Sequence, residues 1–154
     1  MIIEPLSSGA ACPLARLHRA CFPEEAWDAE VIEQIIRMPG FFGRIGWAKN
    51  TPIGFALALA AGGEAEILSL GVFPGRRRRG FGSAILDAMC DEARLRNAEQ
   101  IFLEVASDNE PAVVLYARRG FIVVGHRPNY YRRAEGSSDA LIMCAPLVTG
   151  EAET

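Results

Sequence analysis

Leu68-Ser69-Leu70-Gly71-Val72-Phe73-Pro74-Gly75-Arg76-Arg77-Arg78-Arg79-Gly80-Phe81-Gly82-Ser83 is the stretch on which the reading of this chain turns. Its first part closes a run from Ala65 to Phe73 in which Ile67, Leu68, Leu70 and Val72 are too continuous for a half-exposed strand, so a central strand is expected. Pro74-Gly75 ends it. From Phe81 to Arg96, Ile85, Met89 and Ala93 share one face beside Leu86 and Cys90, the pattern of an amphipathic helix of about four turns. Between the two lie four arginines and two glycines. A glycine turn entering a helix lets several backbone N–H groups converge, and the helix dipole adds to their pull on an anion. A solvated basic loop is the plain alternative. A Walker loop needs Lys and then Ser or Thr after its second glycine, whereas Gly82 is followed by Ser83-Ala84. A dinucleotide fingerprint needs a third Gly or Ala where this chain has Ile85, although Glu104 stands at a roughly suitable distance for a ribose-binding acid.

Outward from that loop, Gln100 to Ala106 reads as a strand, and strand, helix, strand implies a parallel pair with a right-handed crossover. Pro111 suits the first turn of another helix running through Val114, Leu115 and Arg118 to Gly120. Phe121 to Gly125 and Ala140 to Leu147 read as two last strands, joined by a polar connection that holds Asn129-Tyr130-Tyr131 and Gly136-Ser137-Ser138. Upstream, Phe42 to Lys49 and Ile53 to Ala61 flank Asn50-Thr51-Pro52 as a hairpin, with Gly62-Gly63 turning into the central strand. At the front, Ile2, Ile3 and Leu6 suggest a short strand. Ser7-Ser8-Gly9 offers a cap for a helix carrying Leu14, Leu17, His18 and Cys21, which Pro23 stops, and Asp28 caps a second helix striped by Val31, Ile32, Ile35 and Ile36. The expected class is α/β, with a mixed sheet.

The 154 residues, half of them hydrophobic and 23% charged, fit one globular domain over residues 1–148, with 149–154 a frayed tail. Sixteen Lys plus Arg against 19 Asp plus Glu leave a charge of -3, which argues against a broadly basic face for nucleic acid. No apolar run approaches the roughly 18 residues of a membrane span, and Met1-Ile2-Ile3-Glu4-Pro5 lacks the features of a secretory signal, so a cytoplasmic location is expected. Cys12, Cys21, Cys90 and Cys144 show no C-x-x-C spacing and are expected to be reduced. Neither His18 nor His126 has a partner at ligand spacing, so no metal site is expected.

The loop Arg77-Arg78-Arg79-Gly80-Phe81-Gly82 resembles the Q/R-x-x-G-x-G/A coenzyme A loop of the GNAT superfamily of N-acetyltransferases, and Leu68 to Val72 followed by Pro74 looks like that family's central strand. Leu103-Glu104-Val105-Ala106-Ser107-Asp108-Asn109-Glu110-Pro111-Ala112, with Leu115-Tyr116 and Gly120-Phe121, looks like the branch that acetylates protein N-termini. Arg127-Pro128-Asn129-Tyr130-Tyr131 with Asp139 to Met143 is similar to the bacterial ribosomal-protein-alanine acetyltransferases (RimI-like). The resemblance covers about residues 64 to 147. It implies the GNAT fold, a central and mostly antiparallel sheet of about seven strands with a splayed parallel pair and about four helices. It implies acetyl-CoA as co-substrate and a protein N-terminus, in kind that of a ribosomal protein, as acceptor. By resemblance the thioester carbonyl meets main-chain donors of Leu70, Gly71 and Val72, the pyrophosphate lies on Arg78 to Ser83, Arg77 belongs to the same coenzyme-binding loop, and Asn109 touches the pantetheine arm. Phe22, Trp27, Tyr130 and Tyr131 fall where relatives hold the acceptor. The four successive arginines are denser than the family's usual loop and leave the acceptor open.

Acetyl transfer from a thioester needs a neutral amine, a polarised carbonyl and a proton for the leaving thiolate. On pattern alone Glu104, inside the apolar strand Ile101 to Val105, lies either on the solvent face or in a cleft, and Tyr116 is a core-edge aromatic or a donor. The resemblance makes Glu104 the general base, working through water, and Tyr116 the general acid. At pH about 7.4, neutralising an N-terminal amine costs under about 1 kcal/mol and a lysine about 4, so one modest base suits an α-amine. Two rivals remain on the residues alone: the same fold acting on a small amine or several N-termini, and a non-enzymatic module binding coenzyme or RNA through its arginines.

Overall fold

The computed structural model describes residues 1–77 and 79–147; Arg78 and the tail from 148 lie outside the described residues. Seven strands form one sheet: β1 Ile2–Pro5, β2 Phe41–Ala48, β3 Thr51–Ala61, β4 Glu64–Val72, β5 Gln100–Ala106, β6 Ile122–Arg132 and β7 Ser137–Pro146. Four α-helices accompany it: α1 Ala11–Cys21, α2 Ala29–Ile36, α3 Phe81–Leu95 and α4 Glu110–Arg118. The strand order is β1-β2-β3-β4-β5-β7-β6, and β4 with β5 is the parallel pair. This is the mixed, mostly antiparallel seven-stranded arrangement of the GNAT fold that the motifs imply.

Local signals explain most boundaries. Asp28 caps α2, its Oδ1 accepting from the Val31 N–H at 3.0 Å. The β2–β3 turn falls on Lys49-Asn50, with Lys49 at φ 57, so Thr51 and Pro52 already belong to β3. Ser7-Ser8-Gly9 gives no side-chain cap; a short 3-10 turn at Ser8–Ala10 leads into α1 instead. The largest correction is at β6, which continues to Arg132 through Asn129-Tyr130-Tyr131, where a connection was expected. It is an edge strand, exposed at nearly every position, so it has no buried face to impose an alternating pattern. Register breaks between Val123 and Gly125 and between Arg127 and Tyr131 remove what periodicity was left.

Two cores cover the two faces of the sheet. Fully buried Ile85, Leu86 and Met89 of α3 pack on Ala56, Ala58, Ile67, Ile101 and Leu103. Leu14 and Leu17 of α1 and Ile32 of α2 pack on Phe55 and Leu57. Phe55 and Leu57 thus face one way and Ala56 and Ala58 the other, the period of two that a doubly covered strand keeps. A bulge then shifts β4: Leu57 lies opposite Ser69 and Ala58 opposite Ile67, so Leu68 is the extra residue. Before it, Ala65 and Ile67 face α3; after it, Leu70 does, while Gly71 meets α1.

Candidate active site

The parallel pairing of β4 with β5 runs from Glu64 opposite Gln100 only to Ile67 opposite Leu103. Beyond the Leu68 bulge, β4 stays on β3 and leaves β5, which opens a crevice in the middle of the sheet. The Phe73 N–H donates to Ile53 O at 2.7 Å, so the Gly71 amide, two residues earlier, faces β3 as well. By the same alternation the amides of Leu70 and Val72 point to the open side, where no strand accepts them.

The same crevice is closed at one end by the start of α3. Gly80 adopts φ 79, a left-handed conformation that favours glycine, and caps the helix without a side chain. The first helical bond is from Ala84 N–H to Gly80 O at 3.1 Å, so the N–H groups of Phe81, Gly82 and Ser83 have no partner within the helix. A Cβ on Gly82 would stand 3.3 Å from Leu115 Cδ2 of α4, and one on Gly71 would stand 3.0 Å from Cys21 Cβ and from Phe22 Cε2. Both glycines sit at close approaches. Arg79 is exposed beside the turn. Arg77 turns inward along the chain, its Nε donating to Val72 O at 3.0 Å and its Nη2 to Cys21 O at 3.4 Å, so it ties the ends of β4 and α1 together.

Glu104 stands on β5 just past the point where β4 departs, on the face opposite buried Leu103 and Val105. Its carboxylate is 3.1 Å from Arg127 Nη2 of β6 and about a quarter exposed, at 23%. Tyr116 is buried in α4 with its ring 5.7 Å from Phe121. Burial drives its hydroxyl far above the usual tyrosine range, and neighbouring Tyr131 adds to this. Tyr131 is pushed up to about 12, first by burial and next by the charge of Glu104. Tyr131 therefore lies between the two expected catalytic groups in electrostatic terms. Asn109 precedes α4 and caps it with no side-chain bond, its backbone N–H donating to Ala106 O at 2.9 Å.

The opposite wall joins segments far apart in the chain. Phe22 follows the end of α1, and Trp27 stacks on His18 with centroids 4.7 Å apart and planes 15° from parallel. His18 Nδ1 accepts the Trp27 backbone N–H at 3.1 Å, which leaves the proton on Nε2, and Nε2 donates to Ser69 Oγ at 3.1 Å. Burial pulls this imidazole down to about 4 from its ordinary 6.5. The pair connects the loop between α1 and α2 to β4 one residue before Leu70. Asp139 of β7 accepts from the Asn129 backbone N–H and pairs with His126 Nε2, both at 2.8 Å, holding Asn129 of β6 at φ 54. That shapes the break that presents Tyr130, half exposed, and Tyr131, their rings edge to face at 5.1 Å. Sequence reasoning missed His18, Arg127 and Asp139 as site-building residues. The hints were a polar residue on an apolar helix face, a serine inside an apolar strand, and the places of Arg127 and Asp139 within the motifs around Tyr130.

Among the described residues no helix is long and apolar enough to cross a membrane, and no three His, Cys, Asp or Glu gather as a metal would require. The thiols of Cys12, Cys21, Cys90 and Cys144 are free.

Comparison with known proteins agrees with this architecture. The ribosomal protein bS18-alanine N-acetyltransferase of Salmonella typhimurium is 37% identical over 93 residues, which is 60% of this chain and 63% of that relative. The chain thus matches less than two thirds of the curated relative's length. A mycothiol acetyltransferase of Clavibacter michiganensis is 44% identical over 68 residues, 44% of this chain and 22% of that protein. The crystal structure of the ribosomal-protein-S18-alanine N-acetyltransferase from Escherichia coli superposes with a TM-score of 0.89 at 25% identity, over 97% of this chain and 96% of that one. The profile of the Acetyltransferase (GNAT) family matches residues 12–121, and the chain belongs to that family.

Proposed function

We propose that this protein is an acetyl-CoA-dependent N-acetyltransferase whose acceptor is the α-amine of a protein N-terminus, in kind a ribosomal protein, and that residues 1–148 act as one catalytic domain. The observation that carries the reading is the splay of β4 from β5, which leaves the Leu70 and Val72 amides free opposite Glu104. When bound, the coenzyme supplies an acetyl thioester. The chain's donors fit it: the strand amides face where a carbonyl oxygen would gain charge, and the Phe81, Gly82 and Ser83 amides with the helix dipole suit a pyrophosphate. Gly80 provides the turn that aims them, Arg79 adds charge nearby, and Arg77 fixes the strand end that carries Val72. Arg78 belongs to the same proposed loop but is outside the described residues. Asn109, with its side chain uncommitted to capping, is assigned to the coenzyme's amide-bearing arm.

Glu104 takes the proton of the incoming ammonium through water, freeing the lone pair that forms the new amide bond. Tyr116 returns a proton to the sulfur as the C–S bond breaks. A hydroxyl held above its usual range stays protonated at working pH, as that role demands. Burial pushes the Cys21 and Cys90 thiols up to about 11, away from a reactive thiolate, so transfer is read as direct from coenzyme to amine without an acyl-enzyme. Phe22, Trp27, Tyr130 and Tyr131 hold the first acceptor residues.

Mass spectrometry of a peptide panel differing in the first residue, incubated with enzyme and acetyl-CoA, tests this: acetylated α-amines are expected. Labelling of free small amines alone would favour a second reading, which the likeness to a mycothiol acetyltransferase keeps in play.

A further inference from the structure

Arg133, in the turn between β6 and β7, is the most heavily engaged side chain on the acceptor side. Its Nε and Nη2 make a two-pronged contact to Asp108, at 3.0 Å to Oδ2 and 3.1 Å to Oδ1. Its Nη1 pairs with Glu25 and lies 3.7 Å from Glu24 Oε2. The guanidinium also sits 5.3 Å from the centre of the Tyr131 ring. Asp108 is next to Asn109 and two residues past the end of β5; Glu24 and Glu25 lie in the loop between Phe22 and Trp27. One planar cation thus reaches three segments that border the crevice, and its fork matches a carboxylate in a way an ammonium cannot.

We propose that Arg133 is a positioning residue for the acceptor, a latch that holds the loop of residues 22–28 and the loop of residues 107–109 against the β6–β7 hairpin so that a peptide is gripped between them. This rests on the peptide-acceptor reading above. The side chain is 21% exposed while Asp108 and Glu24 are about half exposed, at 49% and 46%. Each pair alone is therefore weak in water, and the effect comes from one cation closing several pairs at once. The Asp108 carboxyl is held below its usual range, chiefly by its hydrogen bond from Arg133, in keeping with that contact. Coenzyme donors on β4 and α3 are not among its partners, and of the residues assigned to the coenzyme only Asn109 lies in a loop it holds, so acceptor affinity should change much more than coenzyme affinity.

The test uses the full chain with Arg133→Gln and Arg133→Lys. Steady-state kinetics with an unmodified peptide from the panel that the wild-type protein acetylates should show KM for the peptide raised about tenfold in Arg133→Gln, with kcat and the coenzyme dissociation constant within about twofold. Amide exchange over 22–28 and 107–109 should quicken about tenfold while β3 and β4 are unchanged. Arg133→Lys should recover part of both, and Glu25→Gln should add little in the Arg133→Gln background. Unchanged peptide KM with unchanged exchange overturns the proposal, and so does a joint fall of kcat and coenzyme affinity. Faster loop exchange in a protein that acetylates no peptide supports the latch and removes the peptide reading, so the two can fail separately.

Discussion

The two sides of the crevice are built by opposite means. The proposed coenzyme side is main chain: amides of Leu70 and Val72 on a strand that has lost a neighbour, and amides of Phe81 to Ser83 at a helix start, all backed by the buried Ile85, Leu86 and Met89. The proposed acceptor side is side chain: His18 on Trp27 and Ser69, Asp139 on Asn129, Arg127 on Glu104 and Arg133 on Asp108 and Glu25, gathered from distant parts of the chain. Backbone donors fixed by a ladder and a helix depend on shape, whereas the acceptor wall depends on pairing of exposed or half-buried charges. Substitutions should therefore act on the first through sterics and on the second through chemistry.

The sharpest break in the coenzyme side is Gly82→Val. A branched side chain at a position where even a Cβ meets Leu115 at 3.3 Å turns the helix start away from its ligand. Losing two charge-assisted hydrogen bonds should weaken coenzyme A about 10³-fold by calorimetry while circular dichroism stays native. Normal affinity would mean the loop is misplaced.

Glu104→Gln tests the junction of the two sides. Turnover should drop by about 10³ and most at low pH, where a base is most needed, with coenzyme affinity kept. Equal rates across pH 6 to 9 would remove its role. Tyr116→Phe should cost about 10² in turnover, since a thiolate is a fair leaving group, again with intact coenzyme binding. A fully active variant would leave Tyr116 as packing against Phe121.

His18 sharpens the contrast by pH alone. Its folded value near 4 lies below the ordinary 6.5, so between these the unfolded chain binds the extra proton. Its contribution is complete above about pH 6.5 and is lost as pH falls toward 4, up to about 3 kcal/mol. Urea unfolding at pH 7.5, 6 and 5 should show this slope, and His18→Gln should flatten it; an unaltered slope would place the acid sensitivity elsewhere.

Several features could be read without coordinates because they are local. The apolar run into β4, the Gly80 turn, the α3 stripe and the strand of residues 100–106 each declare themselves within about fifteen residues, and the parallel pair follows from their order. So did the candidate Glu104 and Tyr116, once the motifs around them were recognised. What could not be read depended on neighbours remote in sequence. The polar stretch at 126–132 forms a strand because β7 supplies a ladder, not because of any period of its own. The Leu68 bulge, the point where β4 leaves β5, and the partners of His18, Arg77 and Arg133 all arise from where other elements happen to pack. Hydrophobic spacing reports how a segment buries itself against an average core. It is silent about which polar group will stand across a gap, because that choice is made only when segments fifty or a hundred residues apart share the same few ångströms.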